Sequence, residues 1–349
     1  MPNAAPQPRS PDAVGAILAR ADALLSADPG DLRGLILKGD ALAARGDARS
    51  ASTFYTSALR QASGRPNLTP DLIADLRRAQ AAVQAQARAF EDHLIASMAE
   101  AGFDPACSSD RFSLSLDLMQ GRKQLYLQQP RFYLFPGLPQ VQFQPRDSLP
   151  WLAEVEQATA DITAELQALL AEPGLFQPYI QPRADRPNTD ASGMLANPEW
   201  SALFLYKDGV EQPDIAGRCP RTMQALSGVP LCRVPGRTPS ILFSRLTPGA
   251  RIPPHHGLIN TRLICHLPLI VPPGNRFRVG NDVREWKEGQ AWAFDDTIEH
   301  EARNDSGLDR TILIFDVWKP ELTAEERDLV AALFKAVDGY GAGGAAWGV

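Results

Sequence analysis

The feature that most constrains this chain is an abrupt change of pattern just after Gly102. From residue 11 to there, Ala, Leu, Arg and Asp recur at helical spacing, and runs of Val, Ile, Thr and aromatics are nearly absent. Beyond it, Pro, aromatics and short alternating apolar runs take over, the pattern of antiparallel strands joined by turns. Helices collected before strands, rather than alternating with them, predict a segregated α+β chain and not a parallel sheet. At 349 residues the chain also exceeds what one core usually organises. The expected domains are therefore a helical region over 11–105 and a strand-rich domain over 106–349, with the seam at 103–110.

Within the helical part, Leu35, Gly39, Leu42, Ala51, Tyr55 and Ala58 fall at the offsets where a tetratricopeptide-like helical pair puts its large residues, its close-contact glycine and its inter-helix alanine. Residues 28–31 read as the loop before this pair, Arg45-Gly46-Asp47 as the turn inside it, and 69–101 as a further helix. One such unit buries too little surface alone, so it is expected to dock on the rest of the chain or on a second copy. A peptide-binding groove and a helical spacer or dimerisation arm both fit that pattern.

In the second part a helix is expected at 151–171, where Leu152, Val155, Ile162, Leu166 and Leu169 share a face and Pro173-Gly174 stops it. Strands are expected at 241–246, 261–271, 276–279, 283–286, 290–294 and 311–318, with Gly280-Asn281-Asp282 as a tight turn. Many short strands at close spacing predict a double-stranded β-helix, the cupin-like jelly roll, whose mouth suits a small cofactor.

Composition narrows the function classes. With 35 basic and 41 acidic side chains the net charge is -6, so no global basic field is available for a nucleic-acid backbone. The longest apolar run, 263–273, is interrupted by His266 and too short for a membrane span, and the polar, Pro-rich start has no signal-like apolar stretch; a cytoplasmic address is expected. Four cysteines without CxxC spacing read as buried or free thiols rather than a disulfide framework, a Cys219–Cys232 bridge being the one pairing considered.

Four of the five histidines, His255, His256, His266 and His300, lie in the strand-rich part, and neutral imidazole is the commonest transition-metal ligand. Arg310 stands at the entrance to an apolar strand, where alternation points it the same way as Ile312 and Ile314. A buried guanidinium requires an anion, either a protein carboxylate or a dicarboxylate cosubstrate received bidentately. His-x-Gly at 255–257, then His300, then Arg310 is the order expected of iron(II), 2-oxoglutarate oxygenases.

These residues lie in segments that closely resemble the aspartyl/asparaginyl β-hydroxylase family. The resemblance covers roughly 130–325 and rests on long strings, among them PRFYLFPG, NTRLICHLPLIVPPG, REWKEGQAWAFDD and EHEARND. It implies that His255 and His300 bind iron(II), and that Gly257 replaces the carboxylate that usually completes the ligand set, leaving a water there. It implies that Asp296, expected on the His300 strand face if the segment is extended, holds that water, with a plain turn carboxylate as the other reading. Arg310 with Ser244 would bind the distal carboxylate of 2-oxoglutarate, and His266 the end nearer the iron. A second cosubstrate arginine of some members would fall at Ile264; Arg262, on the same face, is expected to substitute in part. His256 points to the opposite face and is assigned to the surface or substrate side, while Trp200, Trp286 and Trp292 read as core.

The implied activity is iron(II)-, 2-oxoglutarate- and O2-dependent hydroxylation, with an Asp or Asn β-carbon of a peptide or protein as target and succinate and CO2 released. The competing readings are a noncatalytic binding or scaffold protein and a halogenase, the latter disfavoured by the Asp296 charge.

Overall fold

The computed structural model describes residues 10–182 and 193–340. The polar start of the chain, up to residue 9, lies outside them. Two compact units meet at Arg122 and Lys123.

The first unit is all helical: α1 (Pro11–Ala27), α2 (Leu32–Ala44), α3 (Ala48–Ala62), α4 (Pro70–Glu100) and α5 (Asp110–Met119). Ser10, Asp31 and Asp47 cap α1, α2 and α3 by accepting from backbone N–H groups of the first turn. Leu35, Ile36, Ala51, Tyr55 and Ala58 form the shared core with Leu76 and Ala79 of α4. Gly39 is the closest approach: a Cβ there would sit 2.4 Å from the Tyr55 ring, whose hydroxyl donates to Asp40 at 2.7 Å. Gly39→Ala is therefore expected to destabilise this unit by about 1–3 kcal/mol, the usual cost of overpacking. Urea unfolding followed by helical circular dichroism measures this, and an unchanged midpoint would show that α2 and α3 close without the glycine.

The unit boundary falls later than the expected 105/106. Helix α5 belongs to the helical unit, with Phe103 against Phe112 edge-to-face at 5.3 Å and Arg122 bridging Glu91 of α4 and Asp117 of α5. The Asp104-Pro105 region is a turn rather than a seam, with the Asp104 side chain accepting from the Ala106 N–H.

The second unit contains α6 (Leu152–Gln157), α7 (Thr159–Leu170), β1 (Gln177–Pro178), β2 (Trp200–Lys207), β3 (Val210–Glu211), α8 (Pro213–Ala216), α9 (Pro220–Ala225), β4 (Ile241–Leu246), β5 (Arg251–His255), β6 (Arg262–Ile270), β7 (Asn275–Val279), β8 (Asp282–Glu285), β9 (Trp292–Phe294), β10 (His300–Asn304), β11 (Arg310–Trp318) and α10 (Ala324–Asp338). The helix expected at 151–171 is interrupted at Ala158, and β1, β2, β3, β5, β10, α8, α9 and α10 add to the expected elements. One sheet runs β1-β2-β4-β11-β6-β9 with β3 paired to β2; the other runs β5-β10-β7-β8. Every strand pairing within the two sheets is antiparallel. This is the expected α+β chain ending in a double-stranded β-helix.

Alternation divides the larger sheet. Phe243, Leu313, Phe315, Val317, Leu263, Cys265 and Leu267 pack outward on Leu152, Val155, Ile162, Leu166 and Leu169 of α6 and α7. The other face, with Leu246, Ile312 and Phe294, meets Ile252, Phe277, Val279 and Ala302 of the smaller sheet. The cysteines are free thiols, so the Cys219–Cys232 bridge does not form.

Candidate active site

The site is built between the two sheets, and register places its parts. His255 ends β5 and His300 begins β10, and the two residues are direct cross-strand partners. Their ring centroids are 4.0 Å apart. Each Nδ1 lies against a carbonyl of its own chain segment, His255 on Pro253 O at 2.8 Å and His300 on Ile298 O at 3.0 Å. A carbonyl can only accept, so each Nδ1 carries the proton and each Nε2 keeps its lone pair, the state a metal-binding imidazole requires. Burial lowers the pKa of both rings, that of His300 well below the ordinary value with His255 adding to the effect, so both are neutral at pH 7.

Gly257 follows two residues after His255, and a Cβ built on it would lie 2.1 Å from Asp296 Oδ2. The volume that a side chain at 257 would fill is thus occupied by a carboxylate from elsewhere in the chain. Asp296 is not on an extended strand, as expected from spacing, but in the turn between β9 and β10. That turn is fixed by Asp295, whose Oδ1 accepts from both N and Oγ1 of Thr297, and by Lys319, whose Nζ reaches Asp295 Oδ2 at 2.6 Å.

Arg262 donates to Asp296 Oδ2 and Asp316 Oδ2, both at 3.0 Å, so its fork is engaged by two carboxylates. This corrects the expectation that it stands in for an absent cosubstrate arginine at Ile264: its geometry positions Asp296 instead. Burial raises the Asp296 carboxyl to about 6 against the opposing pull of Arg262, and burial likewise raises Asp316. Asp296 Oδ1 is buried and has no protein hydrogen-bond partner.

Among the described residues no three His, Cys, Asp or Glu side chains converge as a metal cluster. Two neutral imidazoles with free Nε2 atoms, beside a group of one arginine and two aspartates, nonetheless fit a divalent cation held by two protein ligands and otherwise by water or cosubstrate. The uncommitted Oδ1 of Asp296 is the acceptor such a water needs.

Deeper in the barrel, β4, β11 and β6 lie side by side, and Ser244, Arg310 and His266 project from their interior face. Ser244 pairs with Ile312, and His266 with Ile314, on the same face as Arg310. Arg310 is 1% exposed, and its Nε and Nη1 have no hydrogen-bond partner. No carboxylate among the described residues pairs with it, and burial pulls its pKa down to about 9, which leaves it charged at neutral pH. Its guanidinium lies 4.5 Å from the centroid of the Trp286 ring.

Two indoles complete this group. Trp200 Nε1 donates to Ser244 Oγ at 3.2 Å, and Trp286 Nε1 donates to His266 Nδ1 at 3.4 Å. Burial, with Arg310 adding to it, keeps His266 neutral, so an acceptor Nδ1 means that Nε2 holds the proton. Sequence reasoning treated both tryptophans as core; they are packed there, but their N–H groups face the site. His256 is half-buried beside His255 and has no hydrogen bond among the described contacts.

A family model described as Aspartyl/Asparaginyl beta-hydroxylase matches residues 156–320, which include every residue named above. Over these residues the chain is similar to the aspartyl/asparaginyl β-hydroxylase family. Its curated relatives include an ornithine lipid ester-linked acyl 2-hydroxylase of Rhizobium tropici, 36% identical over 176 residues, which are 50% of this chain and 59% of that protein. Aspartate beta-hydroxylase domain-containing protein 2 of Xenopus tropicalis is 31% identical over 212 residues, 60% of this chain and 55% of that one. Human aspartyl/asparaginyl beta-hydroxylase is 36% identical over 137 residues, 39% of this chain and 18% of that one. The chain thus spans less than two thirds of the length of the relatives it matches. No helix among the described residues is long and apolar enough to cross a membrane.

Proposed function

We propose that the chain is an iron(II)- and 2-oxoglutarate-dependent hydroxylase, acting on the β-carbon of an Asp or Asn residue in a peptide or protein. The observation that carries this reading is the group Ser244, His266 and Arg310, with a buried cation that no carboxylate among the described residues neutralises. A dicarboxylate supplies the missing charge, and bidentate acceptance from Arg310 would fix its register. His255 and His300 would hold iron(II) through Nε2. When bound, the metal would supply O2 activation coupled to decarboxylation of 2-oxoglutarate to succinate and CO2.

The protein's own contribution is placement. Ser244 and Arg310 orient the distal carboxylate, His266 donates toward the metal-proximal end, and Asp296, steadied by Arg262, accepts from a water in the space next to Gly257. The Asp296 charge also opposes a halide in that space, against halogenation. A noncatalytic scaffold is disfavoured because the whole donor set and both imidazoles are present together.

The relative named for an acyl 2-hydroxylase supports a second substrate reading, a lipid acyl chain. Phe132 and Leu134 are 42% and 56% exposed on the segment whose backbone bonds to Gly257 and Leu258 beside His255, an apolar rim that an acyl chain would favour. Mass spectrometry of products from an Asp/Asn peptide library and from ornithine lipid separates the two substrates.

Anaerobic titration of metal-free protein with iron(II) and 2-oxoglutarate should give a metal-to-ligand charge-transfer band. His255→Ala should abolish it. Absence of the band in folded wild-type protein that binds metal would overturn the oxygenase reading and favour the scaffold.

A further inference from the structure

Three groups with very different chemistry, a hydroxyl, an imidazole and a guanidinium, line one face of the barrel, and none is held by a side-chain acceptor. Ser244 accepts from Trp200, so its own O–H is released to donate elsewhere. His266 accepts from Trp286 through Nδ1, so its remaining polar atom is a donor. Arg310 is a donor by nature, and the Trp286 ring lies against its guanidinium.

Without the Trp286 N–H, the choice between the two neutral His266 tautomers would be open. Half of that choice presents an acceptor to an incoming carboxylate, which would repel it. Trp286 is itself fixed: it is 5% exposed, stacks on Trp292 at 6.0 Å and lies 5.3 Å from Phe277. Trp292 is in turn the cross-strand partner of His266 on β9. The indole is thus held by two further rings as well as by the residues it orients.

Resting on the dicarboxylate reading above, we propose that Trp286 is a positioning residue for cosubstrate, which locks His266 as an Nε2–H donor while its ring face seats Arg310. The imidazole and the guanidinium are thereby both donors before any anion arrives. The pocket's selectivity is for a dianion with carboxylates at two depths, because the donors lie on three neighbouring strands rather than at one point. No electron or proton transfer is involved in this role.

The first test is read in the wild-type protein. With only five histidines in the chain, 15N-histidine labelling of the full-length protein gives a resolvable spectrum, and His266→Gln identifies its signals. His266 should show a protonated Nε2 and a pyridine-like Nδ1 in the metal-free, ligand-free protein; a protonated Nδ1 would overturn the proposal whether or not the protein binds 2-oxoglutarate.

The second test separates the two contributions of the indole in manganese(II)-loaded protein titrated with 2-oxoglutarate. Trp286→Phe, which keeps a ring and removes the N–H, should mix the His266 tautomers and weaken binding about tenfold, the worth of one buried hydrogen bond. Trp286→Leu should weaken it further. In iron-loaded turnover the loss should appear in KM for 2-oxoglutarate, with kcat at saturation within a factor of about two, a split that a merely structural defect would not produce. Unchanged tautomer and affinity in folded Trp286→Phe would refute the role. Failure of wild-type protein to bind 2-oxoglutarate, with the expected tautomer present, would instead overturn the cosubstrate reading.

Discussion

Arg310→Met should abolish 2-oxoglutarate-dependent turnover and yet leave the cosubstrate-free protein more resistant to unfolding than the parent. The two effects have one cause. Arg310 is a buried cation with no carboxylate partner among the described residues, so the folded, ligand-free state bears its desolvation with the Trp286 ring opposing it. Methionine fills similar volume without charge, removing that cost. The cosubstrate carboxylate would then enter a pocket without its charge partner, a loss of about 3–5 kcal/mol, or roughly 10²- to 10³-fold or more in affinity. Thermal melts of both proteins, with and without 2-oxoglutarate, test this directly. Wild type should gain stability with ligand, by mass action, and the variant should not. A variant that melts well below the parent without ligand would show that Arg310 has a structural partner after all, and would remove the main support for the dicarboxylate pocket.

Much of this arrangement was legible in the sequence because strand alternation is a strong signal. Placing Arg310 with Ile312 and Ile314, and Arg262 with Ile264 and His266, needed only a period of two, and the sheet register bears out both groupings. Strand β5 was not legible, for a physical reason. Pro253 and Pro254 within it lack N–H donors and argue against a strand, but β5 is the edge of the smaller sheet, where a missing donor need not interrupt a ladder. Helix α5 was hidden by the expectation of strands after Gly102, although Ser109 and Asp110 are ordinary helix-start residues.

The pairing of Arg262 could not be read either. Its partners are 34 and 54 residues away, and no local spacing distinguishes a guanidinium that steadies a carboxylate from one that awaits a ligand. The same holds for the tryptophans. Burial predicts that a tryptophan is core, and nothing in the sequence shows where its single N–H points. The site was therefore legible as a list of polar residues on one face, while its division into groups that bind and groups that orient them required the fold.

Gly257→Ala should lower metal-dependent activity by about 100-fold or more, and the added substitution Asp296→Gly should recover part of the loss in metal binding. The new methyl would collide with a carboxylate that cannot simply swing aside, since Arg262 holds its Oδ2 and the Asp295–Thr297 contacts hold its backbone turn. Displacing Asp296 would also disturb Arg262 and, through it, Asp316, so the effect reaches the buried charge group rather than one contact. Removing the Asp296 side chain restores the space but not the acceptor. Iron(II) affinity should therefore recover more fully than turnover in the double variant, because the two imidazoles are intact while the water lacks its partner. A double-mutant cycle on iron(II) affinity and on kcat separates the two, with strong positive coupling expected in affinity. Additive effects in both would mean that the glycine and the aspartate act independently, and that the space between them is not shared.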